Sequence, residues 1–108
     1  MKVLEISEVI QDVRDIISRQ DGLIKKAGVF GSVARGNYND NSDIDILIEY
    51  NAEADIQMEH FTEFCEVCNQ IRDTLYSLYG RRIEIVHFEG DPARNLQDEN
   101  VEKEVIWV

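Results

Sequence analysis

Two aspartates separated by one residue carry the clearest chemistry in the sequence. Asp43 and Asp45 lie at the start of the β-prone segment IDILIEY (Ile44–Tyr50), and side chains two apart in a strand project from the same face. Their Cα atoms are expected roughly 6.6 Å apart. Because adjacent carboxylates repel each other and are costly to desolvate, the pair predicts a bound cation, and Mg²⁺ is the natural candidate for oxygen ligands. The alternative is a solvated strand end at which the pair caps a turn.

A glycine and a serine upstream of the aspartates indicate a phosphate-binding turn. Gly31-Ser32 directly follows a short apolar segment that is typical of a strand. We expect a short helix to begin here with Ser32 as the N-cap, which leaves backbone N–H groups suited to phosphate. Arg35 adds a charge that can pair with a phosphate. The alternative is an ordinary turn between a strand and a helix.

Two amphipathic helices are needed to position these residues. Apolar side chains recur at three- and four-residue spacing from Leu4 to Ile17 and again from Phe61 to Leu78, which predicts helices with one buried stripe. Gly22 is expected to close the first helix. Asp55 is expected to begin the second helix as its N-cap, and Gly80 is expected to end it.

The remaining segments predict strands and a last helix. Residues 25–30, 44–50 and 82–88 are β-prone, and Asp91-Pro92 predicts the start of a helix that carries Leu96, Val101 and Val105. A short strand over residues 105–108 is the alternative for the end of the chain. The order helix, strand, loop, strand, helix, strand, helix predicts an α/β fold with one sheet and helices packed on it.

Length and composition indicate one acidic domain spanning residues 1–108. There are 108 residues, with 11 basic and 22 acidic side chains and a formal net charge of −11. No apolar run is long enough to cross a membrane, and no signal peptide is recognisable, so the cytoplasm is the expected location. The charge disfavours nucleic acid and anionic membranes as direct partners and favours a basic protein. The alternative is that the charge only keeps the protein dissolved.

The cysteines and histidines predict no site of their own. Cys65 and Cys68 lie in the middle of the second helical pattern, without a second cysteine pair to complete a zinc site, so both are expected to be small core residues. His60 and His87 are far apart in the sequence, and each is interpreted as structural or exposed.

The complete set of motifs resembles a known family. Gly-Ser, ten residues and then Asp-x-Asp is the pattern of the polymerase-β-type nucleotidyltransferase superfamily, and GSVARG followed by SDIDILI is similar to its minimal nucleotidyltransferases, the MNT family. The resemblance covers nearly the whole chain. GRRIEIVHFEG is similar to the third strand of the family, and VEKEVIWV is similar to the usual C-terminal segment. It implies a polymerase-β-like nucleotidyltransferase fold, with one small mixed sheet packed by helices.

The resemblance also implies a third carboxylate. The family carries it on the strand beside the Asp-x-Asp strand, where this sequence has Glu84 in place of the usual aspartate. Glutamate is one methylene longer and can still bind metal, although the distances change. The alternative is that Glu84 is a surface charge paired with Arg81 or Arg82.

Roles in nucleotide transfer follow from the same resemblance. Two Mg²⁺ ions would be held by a carboxylate set that is also catalytic, and the triphosphate of ATP or another NTP would be held by the Gly-Ser turn and its arginine. The implied catalytic and metal residues are Asp43, Asp45 and Glu84, and the implied nucleotide-binding residues are Gly31, Ser32 and Arg35.

The resemblance further implies a separate acceptor. Larger relatives carry a domain that binds the acceptor, for which 108 residues leave no room. Minimal nucleotidyltransferases commonly pair with a helical HEPN protein, often an RNase toxin, and some transfer AMP to its tyrosine. The expected function is therefore that of an adenylylating antitoxin in a HEPN–MNT toxin–antitoxin pair. The sequence leaves open whether the protein also forms a homo-oligomer. The alternatives are an inactive module that neutralises its partner by contact, and a structural metal-binding domain.

Overall fold

The computed structural model describes residues 2–19, 22–51, 59–88 and 104–108. In chain order, these residues form three helices and four strands. The elements are α1 (Ile6–Ile17), β1 (Ile24–Phe30), α2 (Gly31–Arg35), β2 (Ile44–Tyr50), α3 (Phe61–Tyr79), β3 (Ile83–Phe88) and β4 (Ile106–Trp107).

One mixed sheet runs in the order β3-β2-β1-β4. β2 and β3 are parallel, whereas β1 is antiparallel to both of its neighbours, β2 and β4. Parallel neighbours need a connection that returns to the starting end of the sheet, and α3 lies in that connection. The predicted α/β fold with one small mixed sheet packed by helices is confirmed.

The main core lies between one face of the sheet and the two long helices. The side chains of Ile44, Ile46 and Ile48 project from this face of the sheet and are fully buried. Fully burying one such side chain contributes about 1.5–3 kcal/mol. The helix residues that are completely buried in the same cluster are Val9 and Val13 of α1 and Phe64, Ile71 and Leu75 of α3.

The opposite face of the sheet has a smaller apolar cluster and more charge. Leu47 is fully buried there, and Phe30, Val86, Val105 and Trp107 pack against it. The strand residues on either side of Leu47 on this face are acidic. One of them, Glu49, is only 5% exposed, and its Oε2 lies 3.9 Å from Nζ of Lys25.

The two long helices end differently. The predicted stop at Gly80 is confirmed, because this residue has the left-handed backbone that ends α3, and its N–H donates to the carbonyl of Tyr76. The predicted stop of α1 at Gly22 is wrong. α1 ends at Ile17, and Ser18 caps it in right-handed geometry with its N–H bonded to carbonyls of the last turn. No left-handed residue is needed at that end.

Two sequence predictions fall on residues 52–58 and 89–103. Asp55 itself lies outside the described residues, but its predicted role as N-cap is wrong, because α3 begins at Phe61 with His60 in the N-cap position. The helix predicted to start at Asp91-Pro92 lies outside the described residues. The alternative strand at the end of the chain is confirmed as β4. Within the described ranges, no helix is long and apolar enough to span a membrane.

Candidate active site

The predicted site residues meet at one end of the sheet. Phe30 pairs with Asp45 across β1 and β2, and Asp45 pairs with Glu84 across β2 and β3. Ile106 at the start of β4 pairs with Val29 near the end of β1. The end of β1 and the beginnings of the other three strands therefore lie together, with the Gly31 turn among them.

Asp45 and Glu84 form the centre of the site. They are register partners on parallel strands, and their side chains share a hydrogen bond. The pKa of Asp45 is raised from 3.8 to about 6. Burial is the largest cause, and the hydrogen bond to Glu84 and the negative charges of Glu84 and Asp43 also raise it. The charge of Arg35 lowers that pKa. Without a cation, Asp45 is therefore harder to ionise than an ordinary aspartate.

Asp43 lies at the edge of this pair. The sequence interpretation placed Asp43 within the strand, but β2 begins at Ile44, so that detail is wrong. The preceding loop is held by Arg81, whose Nη1 donates to the carbonyls of Asn39 and Ser42. Oδ2 of Asp43 lies 3.9 Å from Nε of Arg82. Asp43 is still close enough to Asp45 for its charge to raise the pKa of Asp45.

Gly31 gives the turn its shape. Its φ of +73° lies in the left-handed region, and a Cβ built at this position would collide with Oδ2 of Asp45. Only glycine fits both conditions without strain. The turn after β1 therefore brings its backbone directly against a carboxylate of the site.

The predicted short helix after β1 is confirmed as α2, but its predicted N-cap is wrong. Phe30 holds the N-cap position, with no side-chain capping hydrogen bond. Ser32 is the second residue of the helix and is half-buried. A helix begins with N–H groups that lack partners inside it, so the first amide of α2 needs an acceptor from elsewhere.

Glu104 supplies that acceptor, and sequence reasoning missed it. Its Oε1 accepts a hydrogen bond of 3.1 Å from the N–H of Gly31, and its Oε2 accepts one of 2.9 Å from Nη1 of Arg35. Glu104 is 73 positions from Gly31. The only sequence feature that included it was the likeness of VEKEVIWV to the usual close of the family.

The donor chemistry of the site fits a hard cation. Carboxylate oxygens are the ligands that Mg²⁺ prefers, and the contact between Asp45 and Glu84 already needs a positive charge or a proton. Within residues 2–19, 22–51, 59–88 and 104–108, however, no three acidic, histidine or cysteine side chains are grouped as ligands of one ion. In this conformation Asp43 lies beside Arg82, and the side chains of Asp45 and Glu84 are hydrogen-bonded to each other.

The arginines beside Glu84 have other contacts. Arg81 donates to loop carbonyls, and Arg82 lies nearest to Asp43, whereas Glu84 is bonded to Asp45. This geometry favours the interpretation of Glu84 as the third carboxylate over a pairing with either arginine.

The cysteines and histidines lie away from this end of the sheet, as expected. Cys68 is buried in the main core, Cys65 packs against the same core, and burial raises the pKa of Cys68 to about 11. His60 is exposed and contacts Glu63. The ring of His87 contacts an aromatic ring of α3, Phe64, edge to face.

Comparisons with known proteins agree with this fold. The family model described as "Nucleotidyltransferase domain" matches residues 10–108. The "Putative protein adenylyltransferase MJ0128" of Methanocaldococcus jannaschii is 26% identical over 94% of this chain and 99% of its own length. The "Putative protein adenylyltransferase MJ0604" of the same organism is 42% identical over 49% of each chain.

A solved structure is similar over the same extent. It is described as "Structure of putative minimal nucleotidyltransferase", it covers 98% of each chain at 24% identity, and its TM-score is 0.64. That likeness concerns the fold, whereas the family match covers most of the sequence. The chain therefore belongs to the nucleotidyltransferase domain family, and it has the fold of a minimal nucleotidyltransferase.

Proposed function

We propose that the protein is a Mg²⁺-dependent enzyme that transfers AMP from ATP to a hydroxyl group of a separate protein. The observation that carries the proposal is the contact of Asp45 with Glu84 beside the Gly31 turn. Three carboxylates and Arg35 lie at one end of the sheet, as transfer of a highly charged nucleotide requires. Such transfer depends on charge neutralisation and alignment more than on covalent catalysis.

The carboxylates have the role of metal ligands in this proposal. Asp43, Asp45 and Glu84 would hold Mg²⁺, which would neutralise charge on the triphosphate and acidify the attacking hydroxyl. The raised pKa of Asp45 supports this role, because a carboxylate that is costly to ionise beside other carboxylates is stabilised when a cation binds it.

The turn has the role of a phosphate site. Arg35 is half exposed and can present guanidinium N–H groups to phosphate oxygens. Ser32 offers its hydroxyl from the first turn of α2. Gly31 contributes its conformation, since its own N–H is bonded to Glu104. The acceptor hydroxyl gives up its proton to water as its oxygen forms a bond to the α-phosphorus. The bond from that phosphorus to the oxygen that bridges to the β-phosphorus breaks, and pyrophosphate leaves.

A separate protein is the acceptor we propose. The two archaeal relatives carry the name of protein adenylyltransferases, and a net charge of −11 opposes a polynucleotide acceptor. A basic partner would be steered toward this surface, so its association rate should fall as salt rises. A helical HEPN protein with a reactive tyrosine has the expected chemistry, and its adenylylation would make this protein an antitoxin.

The test is to incubate the protein with Mg²⁺, ATP and the product of the neighbouring gene, and to measure the intact mass of that product. A gain of one or more AMP units is expected. Asp43→Asn and Asp45→Asn should remove the gain, and Glu84→Gln should remove most of it, whereas Glu84→Asp should keep part of it. Asp15→Asn is the matched control, because Asp15 lies on the exposed side of α1 and accepts from Gln11.

Two outcomes would overturn the proposal. If the partner loses its activity without gaining mass, and the Asp43 and Asp45 variants silence it equally well, the protein acts as a binding module. If mass is gained equally without divalent metal, the carboxylates are not metal ligands. Parallel reactions with GTP, CTP and UTP test the choice of nucleotide.

A further inference from the structure

In the proposed function Arg35 binds phosphate, and for this its side chain must be held in place. Its side chain is 48% exposed, and a free arginine side chain carries about 2 kcal/mol of rotamer entropy. The charge of Arg35 lowers the pKa of Asp45, so the guanidinium lies near enough to the carboxylates to act on them. The described contact that orients it is the 2.9 Å bond to Oε2 of Glu104.

The other oxygen of Glu104 orders the start of α2. The helix has five residues, and its N-cap, Phe30, makes no side-chain capping bond. Oε1 of Glu104 accepts from the Gly31 N–H instead. One carboxylate therefore fixes both the first amide of the turn and the arginine at its end. The side chain of Glu104 is only 21% exposed, which limits its own freedom.

We infer that Glu104 is a positioning residue of the nucleotidyl-transfer site, which holds Arg35 and the Gly31 turn in the arrangement that receives the phosphates. This inference rests on the proposed function. Glu104 engages one N–H of a guanidinium that has five, so Arg35 keeps donors for phosphate while it is held. The opposite role would be that of an internal anion that competes with the phosphates for the same donors.

The test compares Glu104→Gln and Glu104→Ala with the wild type, with Glu66→Gln and Glu66→Ala as controls. Glu66 is exposed on α3, and its substitutions change the net charge by the same amount as those of Glu104. We expect kcat/KM for ATP to fall by about 10- to 100-fold in Glu104→Ala, as for other residues that orient a ligand-binding group. Glu104→Gln keeps an oxygen acceptor but loses the charge that faces Arg35, so its value should lie between Glu104→Ala and the wild type.

A double-mutant cycle with Arg35→Ala separates positioning from general stability. If Glu104 acts through Arg35, Glu104→Ala should lower kcat/KM much less in the Arg35→Ala background than in the wild type. Hydrogen exchange of the Gly31 amide should also become faster in Glu104→Ala, and it should stay unchanged in Glu66→Ala. A variant that only unfolds more easily would lower activity by the same factor in both backgrounds.

Three results would overturn the inference. Glu104→Ala with wild-type kcat/KM would show that the contact is idle, and tighter ATP binding in that variant would show competition rather than positioning. Equal losses in the two backgrounds would mean that Glu104 does not act through Arg35. If the wild type itself neither binds nor uses any nucleotide, the proposed function is what has failed.

Discussion

Strand β2 has two faces with opposite demands. Ile44, Ile46 and Ile48 face α1 and α3 and are fully buried, and their contribution is packing. Asp45 and Glu49 lie on the other face, on either side of Leu47. Because successive side chains alternate across a strand, the seven residues of β2 supply both buried side chains of the main core and the central carboxylate of the site.

The difference shows how this small fold separates stability from chemistry. Apolar residues facing the helices contribute burial energy, whereas Asp45 is desolvated, lies beside other carboxylates and has a raised pKa. Ionising such a group in the folded protein is unfavourable. Substitutions on the two faces should therefore have opposite effects on stability and activity, and four measurements test that contrast.

The largest expected effect is loss of transfer in Asp45→Asn. Removing one metal ligand should cost several kcal/mol of transition-state stabilisation, a decrease in rate of about 10³-fold or more. At pH 7 without metal, the same variant should be at least as stable as the wild type, because a disfavoured charge is gone. Activity assays and thermal melts with and without Mg²⁺ check both halves. A variant that retains activity, or that melts well below the wild type, would contradict the contrast.

The second effect is loss of stability in Ile46→Ala. Ile46 neighbours Asp45 on the opposite face and is 0% exposed, so truncation should lower the free energy of unfolding by about 2–5 kcal/mol. Urea titration measures this loss. ATP affinity of the folded protein should change little, because Ile46 faces away from the site. A large change in affinity with little change in stability would reverse the assignment of the two faces.

A smaller effect is expected for Gly31→Ala, with Gly36→Ala as its control. Both glycines have positive φ, of +73° and +80°, so each substitution should cost on the order of 1–3 kcal/mol in backbone strain. Only the methyl group at position 31 meets Asp45, whereas nothing lies within 4 Å of the one at position 36. Gly31→Ala should therefore also lose transfer activity. Equal activities in the two variants, measured at equal folded fraction, would contradict this geometry.

The smallest effect is on the pH dependence of stability. Asp45 has a pKa near 6 in the folded protein against an ordinary value of 3.8, so the folded state binds more protons between these values. Its contribution to the free energy of unfolding therefore falls as pH rises from about 4 through about 6. Without metal, the wild type should lose stability relative to Asp45→Asn over that range. Parallel curves from urea titrations would show that Asp45 titrates normally.

Much of the fold could be predicted because its elements follow local rules. The three- and four-residue spacing of α3, its stop at Gly80 and the β-prone run of β2 were all confirmed. The errors lie at element ends. Gly22 does not close α1, and Ser32 is not the N-cap of α2. In the second case the cap comes from Glu104, a residue that no local rule connects to the turn.

Local spacing was enough to predict that Asp43 and Asp45 lie close together after a glycine turn, because a separation of two residues fixes the geometry within one segment. The hydrogen bond between Glu84 and Asp45 depends instead on the tertiary structure. The register of the parallel strands β2 and β3 is set by the packing of α3, which lies between them in the sequence, on the sheet. The tertiary structure also decided that Glu104 holds Gly31 and Arg35. Contacts across such separations form only when the whole sheet assembles, so their partners depend on the shared core and not on neighbouring residues.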